Sequence, residues 1–335
     1  MKILVIRFSS AGDIVLASLT LRALHTRYPE AEVHVITKEE FAPLFRYSPY
    51  VARLVTIQRG TGLRALLRLR RTLLEENNGP YDIVLDLHNS LRSRIIRPGI
   101  ARAYGIFRKP SLAKWMLVHL KHNRLRPIIP IPERYLATAE RFGLVNDGLG
   151  LDLFTGPASS PIARIPNRPT IALAPGARHA TKRWPAERYV ELGRALAERF
   201  GARIVLMGAP NERDLCNVIA RGIGSDTMNL AGTTNYLESA TALDACDAVV
   251  TNDSALAHIG AARKRPVVAI FGSTVQEFGF APYGTASRVV EIQGLRCRPC
   301  TAIGREDCPL GHFNCMRTIT AQQVAEAVEE VAGKG

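Results

Sequence analysis

Short β-branched runs alternate with amphipathic helical stretches along the chain, and no other pattern in the sequence restricts the fold as strongly. The apolar run at residues 3–6 precedes a helical stretch over 14–28, and the run at 170–174 precedes another over 186–200. Because parallel strands need long crossover connections, usually helices, this order predicts an α/β protein with parallel sheets. The 335 residues exceed one ordinary core, so the length favours two domains.

A stretch rich in Pro and Ser, FTGPASSPIARIPNRP at 154–169, lacks hydrophobic periodicity and predicts a linker. We expect an N-terminal domain over 1–155, a linker over 156–168, a C-terminal domain over 169–319 and a final segment over 320–335 that forms a Thr-capped amphipathic helix. Each half predicts a Rossmann-like α/β/α domain. We expect the two to face each other across a cleft, with ligands at the carboxyl ends of the strands.

Most of the formal net charge of +14 lies in the first half, where residues 1–155 contain 24 Lys and Arg against 13 Asp and Glu. Residues 87–132 contain no acidic residue, and Trp115 and Leu120 are interleaved with the basic ones. A solvated surface is the simplest explanation, but the pattern favours a face for an anionic membrane or acceptor. Nucleic acid is disfavoured because no recognition module accompanies the charge. The expected face contains Arg92, Arg94, Arg97, Lys114 and Lys121.

The start of the chain, MKILVIRF, predicts a buried first strand rather than a signal peptide, because charge and Gly-Asp follow at once. No apolar run approaches the ~18 residues of a membrane span. We therefore expect a cytoplasmic protein.

The first strand-end loop, RFSSAGDIV, places Ser10 and Gly12 before Asp13 at the start of a helix. Capping of that helix would by itself explain an aspartate here. The alternative is that the carboxylate projects from the strand end as a general base. A single glycine is too few for the dinucleotide fingerprint, which argues against a nicotinamide-dependent enzyme.

The loop after residue 174, PGARHATKRWP, gathers cations between a strand and a helix. Gly176 ends the strand, Arg178 follows, and Lys182 is the best candidate to neutralise a departing diphosphate. An ordinary basic loop remains the alternative.

Two further loops carry polar residues at predicted strand ends. Glu212 would accept hydrogen bonds from ribose hydroxyls, although a glutamate at a helix start is common for electrostatic reasons alone. In TNDSALAH, Asp253 would bind sugar hydroxyls, and Ser254 with the helix N-terminus would form an anion site. His258 lies one turn further along the same helix and would reach a ribose or phosphate, unless it is a core residue.

A cysteine cluster lies near the C-terminus, with His312 inside it. Four cysteines in such a short segment suggest structural zinc, but the spacing of the second pair is loose. Reduced thiols that pack a loop are the favoured interpretation. The cluster consists of Cys297, Cys300, Cys308 and Cys315.

Together, RFSSAGDIVL, PGARHATKRWP, TNDSALAH and the ending CRPC…CPLGHFNCMRTITAQQV resemble the ADP-heptose:lipopolysaccharide heptosyltransferases of glycosyltransferase family 9, in particular the heptosyltransferase II type. The resemblance covers nearly the whole chain. It implies a GT-B fold whose C-terminal helix crosses back to the N-terminal domain.

The resemblance also assigns roles to residues. It places the family's catalytic aspartate on Asp13 and its phosphate-binding lysine on Lys182. Its donor motif carries Gly at the position of Ala255, so the extra methyl narrows the room above the helix N-terminus. The donor-binding residues expected on this basis are Ser10, Gly12, Gly176, Arg178, Lys182, Glu212, Asp253, Ser254, Ala255 and His258.

The implied reaction is an inverting transfer of heptose from ADP-L-glycero-β-D-manno-heptose to the lipopolysaccharide inner core, with no metal or other cofactor. The implied protein is a monomer on the inner face of the cytoplasmic membrane and has no nucleic acid partner. Two alternatives stay open: a GT-B transferase for another nucleotide sugar, and a non-catalytic protein that binds anionic glycolipid or nucleic acid.

Overall fold

The computed structural model describes residues 1–157, 159–224 and 226–333. Ala158 of the predicted linker, and Lys334 and Gly335 of the predicted final segment, lie outside the described residues. The strands are β1 (Lys2–Ile6), β2 (Glu32–Lys38), β3 (Arg53–Ile57), β4 (Tyr81–Asp86), β5 (Ala101–Ile106), β6 (Thr170–Ala174), β7 (Arg203–Leu206), β8 (Thr227–Asn229), β9 (Ala248–Asn252), β10 (Val267–Phe271) and β11 (Ser287–Glu291).

The helices alternate with these strands as the sequence predicts. They are α1 (Ala11–Leu16), α2 (Ser18–Arg27), α3 (Leu63–Glu76), α4 (Leu91–Ile96), α5 (Ser111–Trp115), α6 (Ile131–Leu136), α7 (Ala186–Phe200), α8 (Arg213–Ile223), α9 (Tyr236–Asp244), α10 (Ala255–Ala262), α11 (Asn314–Arg317) and α12 (Ala321–Ala332). Short 3-10 helices span Glu39–Phe45, Ala137–Phe142, Ala180–Lys182, Pro210–Glu212 and Gln276–Phe278, and a π-helical turn spans Met116–Leu120.

The chain forms two compact units, each built on a parallel sheet. The first unit contains Met1–Pro110 and Ile131–Phe154, and the second contains Ser111–Pro130 and Thr155–Gly335. The first sheet has the order β3-β2-β1-β4-β5, and the second has the order β11-β10-β9-β6-β7-β8. The strand pairs are parallel. This confirms the predicted fold class of two Rossmann-like α/β domains.

Strand composition explains why both sheets lie inside their units. β1, β6, β9 and β10 are apolar and buried along most or all of their length. Strands that read as continuous apolar runs are typical of parallel sheets covered by helices on both faces. In the second unit, the hydrophobic core joins β6, β9 and β10 to α7, α8 and α12.

The last helix packs within the second unit, and this corrects the expectation that it crosses back to the N-terminal domain. Thr320 caps it by accepting a hydrogen bond from the Gln323 amide at 3.2 Å, as the sequence predicts. Its apolar residues Val324, Val328 and Val331 are buried with β9, β10 and α7. The reason is that the apolar face of the helix packs against the apolar residues of the second sheet and α7, which cover it.

The segment Ser111–Pro130 instead lies in a different unit from the residues that flank it in sequence. It interrupts the predicted contiguous N-terminal domain and belongs to the second unit. Leu117, Val118 and Leu125 are buried there against Val275 and Phe278.

Candidate active site

The first sheet reverses its direction of growth between β1 and β4. The chain runs from β1 to β2 and β3 on one side, and then returns to β4 and β5 on the other. In parallel sheets, ligands bind outside the carboxyl ends of the strands at such a switch point. Arg7, directly after β1, donates from Nη1 to the carbonyl of Leu87, directly after β4, at 2.6 Å. The two strand ends are thus joined where a ligand site is expected.

Asp13 lies in the first turn of α1 and accepts four polar contacts. Its Oδ1 pairs with Arg7 Nη2 at 2.7 Å and accepts from the Tyr135 hydroxyl at 2.9 Å. Its Oδ2 accepts from the Ser10 amide at 3.1 Å and from the Ser10 hydroxyl at 2.8 Å. The contact with the Ser10 amide is the helix-start role that the sequence suggested, while Oδ1 serves the ion pair. One carboxylate therefore both caps the start of the helix and pairs with Arg7.

This environment sets the charge of Asp13. Burial raises its pKa, but the charge of Arg7 and the hydrogen bonds from Ser10 and Tyr135 outweigh burial and lower the pKa to about 2. Asp13 is therefore ionised throughout the physiological range. Its two oxygens have about four lone-pair sites, and the four contacts occupy them.

His88 adds a neutral imidazole to the same switch point. Its ring lies edge-on to Phe8 with centroids 5.0 Å apart. Burial, together with the charges of Arg7 and Lys109, lowers the pKa of His88 to about 3. At neutral pH the ring therefore offers one N–H donor and one nitrogen acceptor.

The second sheet has its own switch point between β6 and β9. Asn252, at the end of β9, is buried and connects three pieces of backbone. Its Nδ2 donates to the carbonyls of Pro175 at 2.8 Å and Gly176 at 3.2 Å, and its Oδ1 accepts from the Trp184 amide at 3.1 Å. This side chain holds the loop after β6 against the end of β9.

Lys182 and Asp253 form an ion pair at this second switch point. Lys182 Nζ lies 2.6 Å from Asp253 Oδ2, and the side chains are 15% and 10% exposed. The hydroxyl of Thr274, which follows β10, donates to the same carboxylate oxygen at 2.7 Å. Two residues that the sequence singled out separately are thus brought into contact.

Gly176 and Glu212 are also brought together. A Cβ atom at Gly176 would lie 2.0 Å from the Glu212 carboxylate, so the glycine makes room for that side chain. The carboxylate accepts a hydrogen bond from the Ala209 amide at 2.8 Å. Glu212 is therefore oriented across the ends of β6 and β7.

The remaining residues expected to bind the nucleotide sugar occupy varied positions. Ser254 precedes α10, and its hydroxyl lies 2.9 Å from that of Thr251, while Ala255 begins the helix. His258 is buried, with its ring centroid 6.4 Å from that of Phe280. Arg178 is exposed, whereas Ser10 and Gly12 belong to the first unit with Asp13.

The basic residues of the predicted acceptor or membrane face divide between the units. Arg92, Arg94 and Arg97 lie in the first, and Lys114 and Lys121 lie in the second. Arg97 pairs with the fully buried Asp86 at 3.1 Å, and Arg94 donates to Asn89 at 3.2 Å. Lys114 lies over the rings of Phe278 and Phe280, each 5.2 Å away. Lys121 donates to the carbonyls of Val118, Cys297 and Pro299.

The cysteines of the C-terminal cluster are free thiols. Cys297 Sγ lies 3.9 Å from His312 Nε2. Burial raises the pKa of the Cys315 thiol to about 11. Within the described part of the chain, no three His, Cys, Asp or Glu side chains are grouped to hold a metal ion.

Sequence reasoning missed several residues that organise these sites, namely Arg7, His88, Tyr135, Asn252 and Thr274. Arg7 and Asn252 stand at strand ends inside the motifs RFSSAGDIV and TNDSALAH, so their strand-end position was an available signal. Tyr135 lies 122 positions from its partner Asp13 in a segment without a motif, and no local pattern indicates that contact.

Solved structures with the same fold include a family 9 glycosyl transferase from Veillonella parvula, with a TM-score of 0.80 and 19% identity, covering 100% of this chain and 98% of that one. They also include Escherichia coli ADP-heptose lipopolysaccharide heptosyltransferase II, with a TM-score of 0.67 and 24% identity, covering 100% of this chain and 99% of that one. The protein thus has the two-domain fold of the GT-B glycosyltransferases.

The family follows from sequence. The profile of glycosyltransferase family 9 (heptosyltransferase) matches residues 66–310, and the chain belongs to this family of transferase enzymes. It is 28% identical over 346 aligned positions to lipopolysaccharide heptosyltransferase 2 of Escherichia coli K12, covering 97% of each chain. It is 27% identical to lipopolysaccharide heptosyltransferase 3 of the same organism, covering 80% of this chain and 81% of the relative.

Proposed function

We propose that the protein transfers heptose from ADP-L-glycero-β-D-manno-heptose to the lipopolysaccharide inner core, with inversion and without a metal. The observation that carries the proposal is the largely buried, ionised Asp13 at the switch point of the first sheet. The nearly full-length similarity to heptosyltransferase 2 supports the sugar and the acceptor. We also propose that the protein works as a monomer at the inner face of the cytoplasmic membrane.

In this mechanism Asp13 receives the proton of the attacking acceptor hydroxyl. A carboxylate with a pKa of about 2 is a weak base, so it acts late, as bond formation to the anomeric carbon acidifies the hydroxyl. Ser10 is exposed, and its hydroxyl can rotate away from Oδ2 to give the acceptor a place. One displacement by one base inverts the anomeric centre, whereas retention would need a second carboxylate as nucleophile.

The second unit would hold the nucleotide and stabilise the departing diphosphate. Lys182 would exchange Asp253 for the phosphates, and the N-terminus of α10 would supply backbone amides. Glu212, held over Gly176, would accept hydrogen bonds from the ribose. Lys182 and the N-terminus of α10 would supply the positive charge that a metal ion provides in other transferases.

The test compares Asp13→Ala with a matched exposed carboxylate, Glu30→Gln, in transfer and ADP-binding assays. General base catalysis contributes about 10²–10⁴-fold, so we expect Asp13→Ala to lose at least that much turnover while ADP binding persists. Glu30→Gln should behave as wild type. Retained turnover in Asp13→Ala would remove Asp13 from this role.

The same assay, run over a panel of nucleotide sugars, separates the alternatives. A preference for another nucleotide sugar would reassign the substrate within the GT-B class. Absence of turnover with every sugar, alongside binding of glycolipid, would favour the non-catalytic alternative.

A further inference from the structure

The segment Ser111–Pro130 has both buried and exposed apolar side chains. Its inner side chains, among them Leu117 and Val118, are buried in the second unit. Its outer side chains are unusually exposed for large apolar residues: Leu112 is 71% exposed, Trp115 51% and Leu120 59%. Neighbouring large apolar side chains left in water on one short element indicate a contact surface.

Helical geometry and one ring contact place Leu112, Trp115 and His119 together. Leu112 and Trp115 are three residues apart within α5, so they share a face. The rings of Trp115 and His119 lie 5.2 Å apart, which continues that face into the π-helical turn. Leu120 follows directly and is exposed. We name the surface formed by Leu112, Trp115, His119 and Leu120 the apolar ridge.

The ridge is fixed to the body of the unit. Lys121, at its end, donates hydrogen bonds to the backbone carbonyls of Val118, Cys297 and Pro299 at 2.8, 3.2 and 2.7 Å. Asn123 donates to Glu277 at 3.1 Å. The outer residues are thus presented by a supported element, and contact through them needs little ordering of the chain.

The charged residues of the segment that carries the ridge, apart from histidine, are all basic. Residues 111–130 contain no Asp or Glu. Arg124 is exposed, and Arg126, whose side chain is 73% exposed, makes an ion pair with Glu277 at 3.2 Å. A tryptophan and leucines beside arginines form the combination that inserts at the interface of an anionic bilayer.

The size of the ridge also favours a lipid surface over a protein. Side chains of this kind cover on the order of 400 Å² together, whereas a stable protein interface takes roughly 800 Å² from each partner. A bilayer needs only a few inserted side chains with basic residues beside them.

We propose that the apolar ridge inserts into the interfacial region of an anionic membrane, with Arg124 and Arg126 beside lipid phosphates. The inference rests on the proposed function in that the acceptor is a membrane glycolipid, and it assigns the contact to named residues of the second unit. It keeps Trp115 and Leu120, which the sequence placed among the basic residues of the expected face. It assigns the basic contacts to Arg124 and Arg126 instead of Arg92, Arg94, Arg97, Lys114 and Lys121.

Tryptophan fluorescence gives a direct test, because the chain has two tryptophans and Trp184 is 2% exposed. In a Trp184→Phe background, Trp115 reports alone. With phosphatidylglycerol-containing vesicles we expect its emission to shift to the blue and to be quenched by brominated acyl chains. Phosphatidylcholine vesicles should give much weaker effects. An unchanged emission while the protein binds the vesicles would overturn the proposal.

A second measurement does not depend on that background. In the otherwise wild-type chain, the triple variant Leu112→Ser, Trp115→Ser, Leu120→Ser should co-sediment with anionic vesicles at least about tenfold less. The matched control changes three exposed apolar residues elsewhere, Leu63, Ile303 and Leu310, to serine. Equal binding by the ridge variant and wild type would refute the insertion. A concentration-dependent shift of Trp115 emission without lipid would instead identify self-association through the ridge.

Failure of this inference can be told apart from failure of the proposed function. The ridge variant should transfer sugar to a delipidated, water-soluble acceptor fragment at the wild-type rate. If the proposed function is wrong, transfer to that fragment is absent in every variant, while vesicle binding still responds to the ridge.

Discussion

Replacing Arg7 with methionine would leave the Asp13 carboxylate buried without its nearest cation. The two side chains are 7% and 17% exposed, and their atoms are 2.7 Å apart. Removing one partner of a buried ion pair costs about 3–5 kcal/mol, because the remaining charge is left without compensation. We expect a loss of that order in the free energy of unfolding at pH 7.

The pH dependence makes this prediction specific to Asp13. Its pKa falls from an ordinary 3.8 to about 2 in the folded protein, and a pKa difference of one is worth about 1.4 kcal/mol. The folded state binds this proton more weakly than the unfolded chain. Asp13 therefore contributes about 2 kcal/mol of stability above about pH 4, and this contribution is lost as the pH falls through the folded pKa.

The measurement is urea unfolding between about pH 2 and pH 6, with Asp13→Asn as the reference in each background. The stability difference between wild type and Asp13→Asn should grow by about 2 kcal/mol as the pH rises. In the Arg7→Met background, only the hydrogen bonds from Ser10 and Tyr135 oppose the burial that raises the pKa. In that background, the increase with pH of the stability difference caused by Asp13→Asn should shrink to a small fraction or reverse. An equal growth in both backgrounds would show that Arg7 does not set the pKa of Asp13.

Two further predictions concern the second unit. Gly176→Ala should displace Glu212, because the new Cβ would lie 2.0 Å from its carboxylate. We expect calorimetry to show about tenfold weaker ADP binding, which is on the order of one lost polar contact. Gly62→Ala is the neutral control, because its Cβ would meet no atom within 4 Å. Undiminished ADP affinity would exclude Glu212 as a ribose contact. Asn252→Ala should lower the free energy of unfolding by about 2–4 kcal/mol, since buried backbone groups lose their partners at about 1–3 kcal/mol each; a loss below about 1 kcal/mol in urea unfolding would mean that water replaces the amide.

The parts of the fold that follow from short-range pattern were predictable. β1 and β6 are apolar because both faces of a parallel sheet are covered, and that signal is local. Ligand sites at strand ends follow from the topology of such sheets, so position and residue type were enough to single out Asp13, Lys182 and Asp253 as candidates. Contacts between distant segments were not predictable. The hydrogen bond from Tyr135 to Asp13 spans 122 positions, and nothing near Tyr135 marks it.

The final helix and the segment Ser111–Pro130 show a second limit of sequence reasoning. An apolar stripe predicts that a helix buries one face, but the stripe carries no information about which sheet receives it. Val324 and Val328 match the second sheet, so the helix stays there. The segment Ser111–Pro130 has both buried and exposed apolar residues, and periodicity alone did not separate the inner Leu117 from the outer Leu120.

Both candidate sites hold their principal charge in a largely buried ion pair, Arg7 with Asp13 and Lys182 with Asp253. The physical reason is common to both: an unpaired charge at this depth costs several kcal/mol. The consequences differ under the proposed function. Asp13 would keep Arg7 during catalysis, because the acceptor hydroxyl would displace the exposed Ser10 hydroxyl from Oδ2 rather than the guanidinium from Oδ1. Lys182 must release Asp253 to bind a diphosphate, and the Thr274 hydroxyl then remains to hydrogen-bond the carboxylate. Asp253 would turn from counter-ion to sugar ligand as the nucleotide sugar arrives, so the second pair is the one that the substrate exchanges.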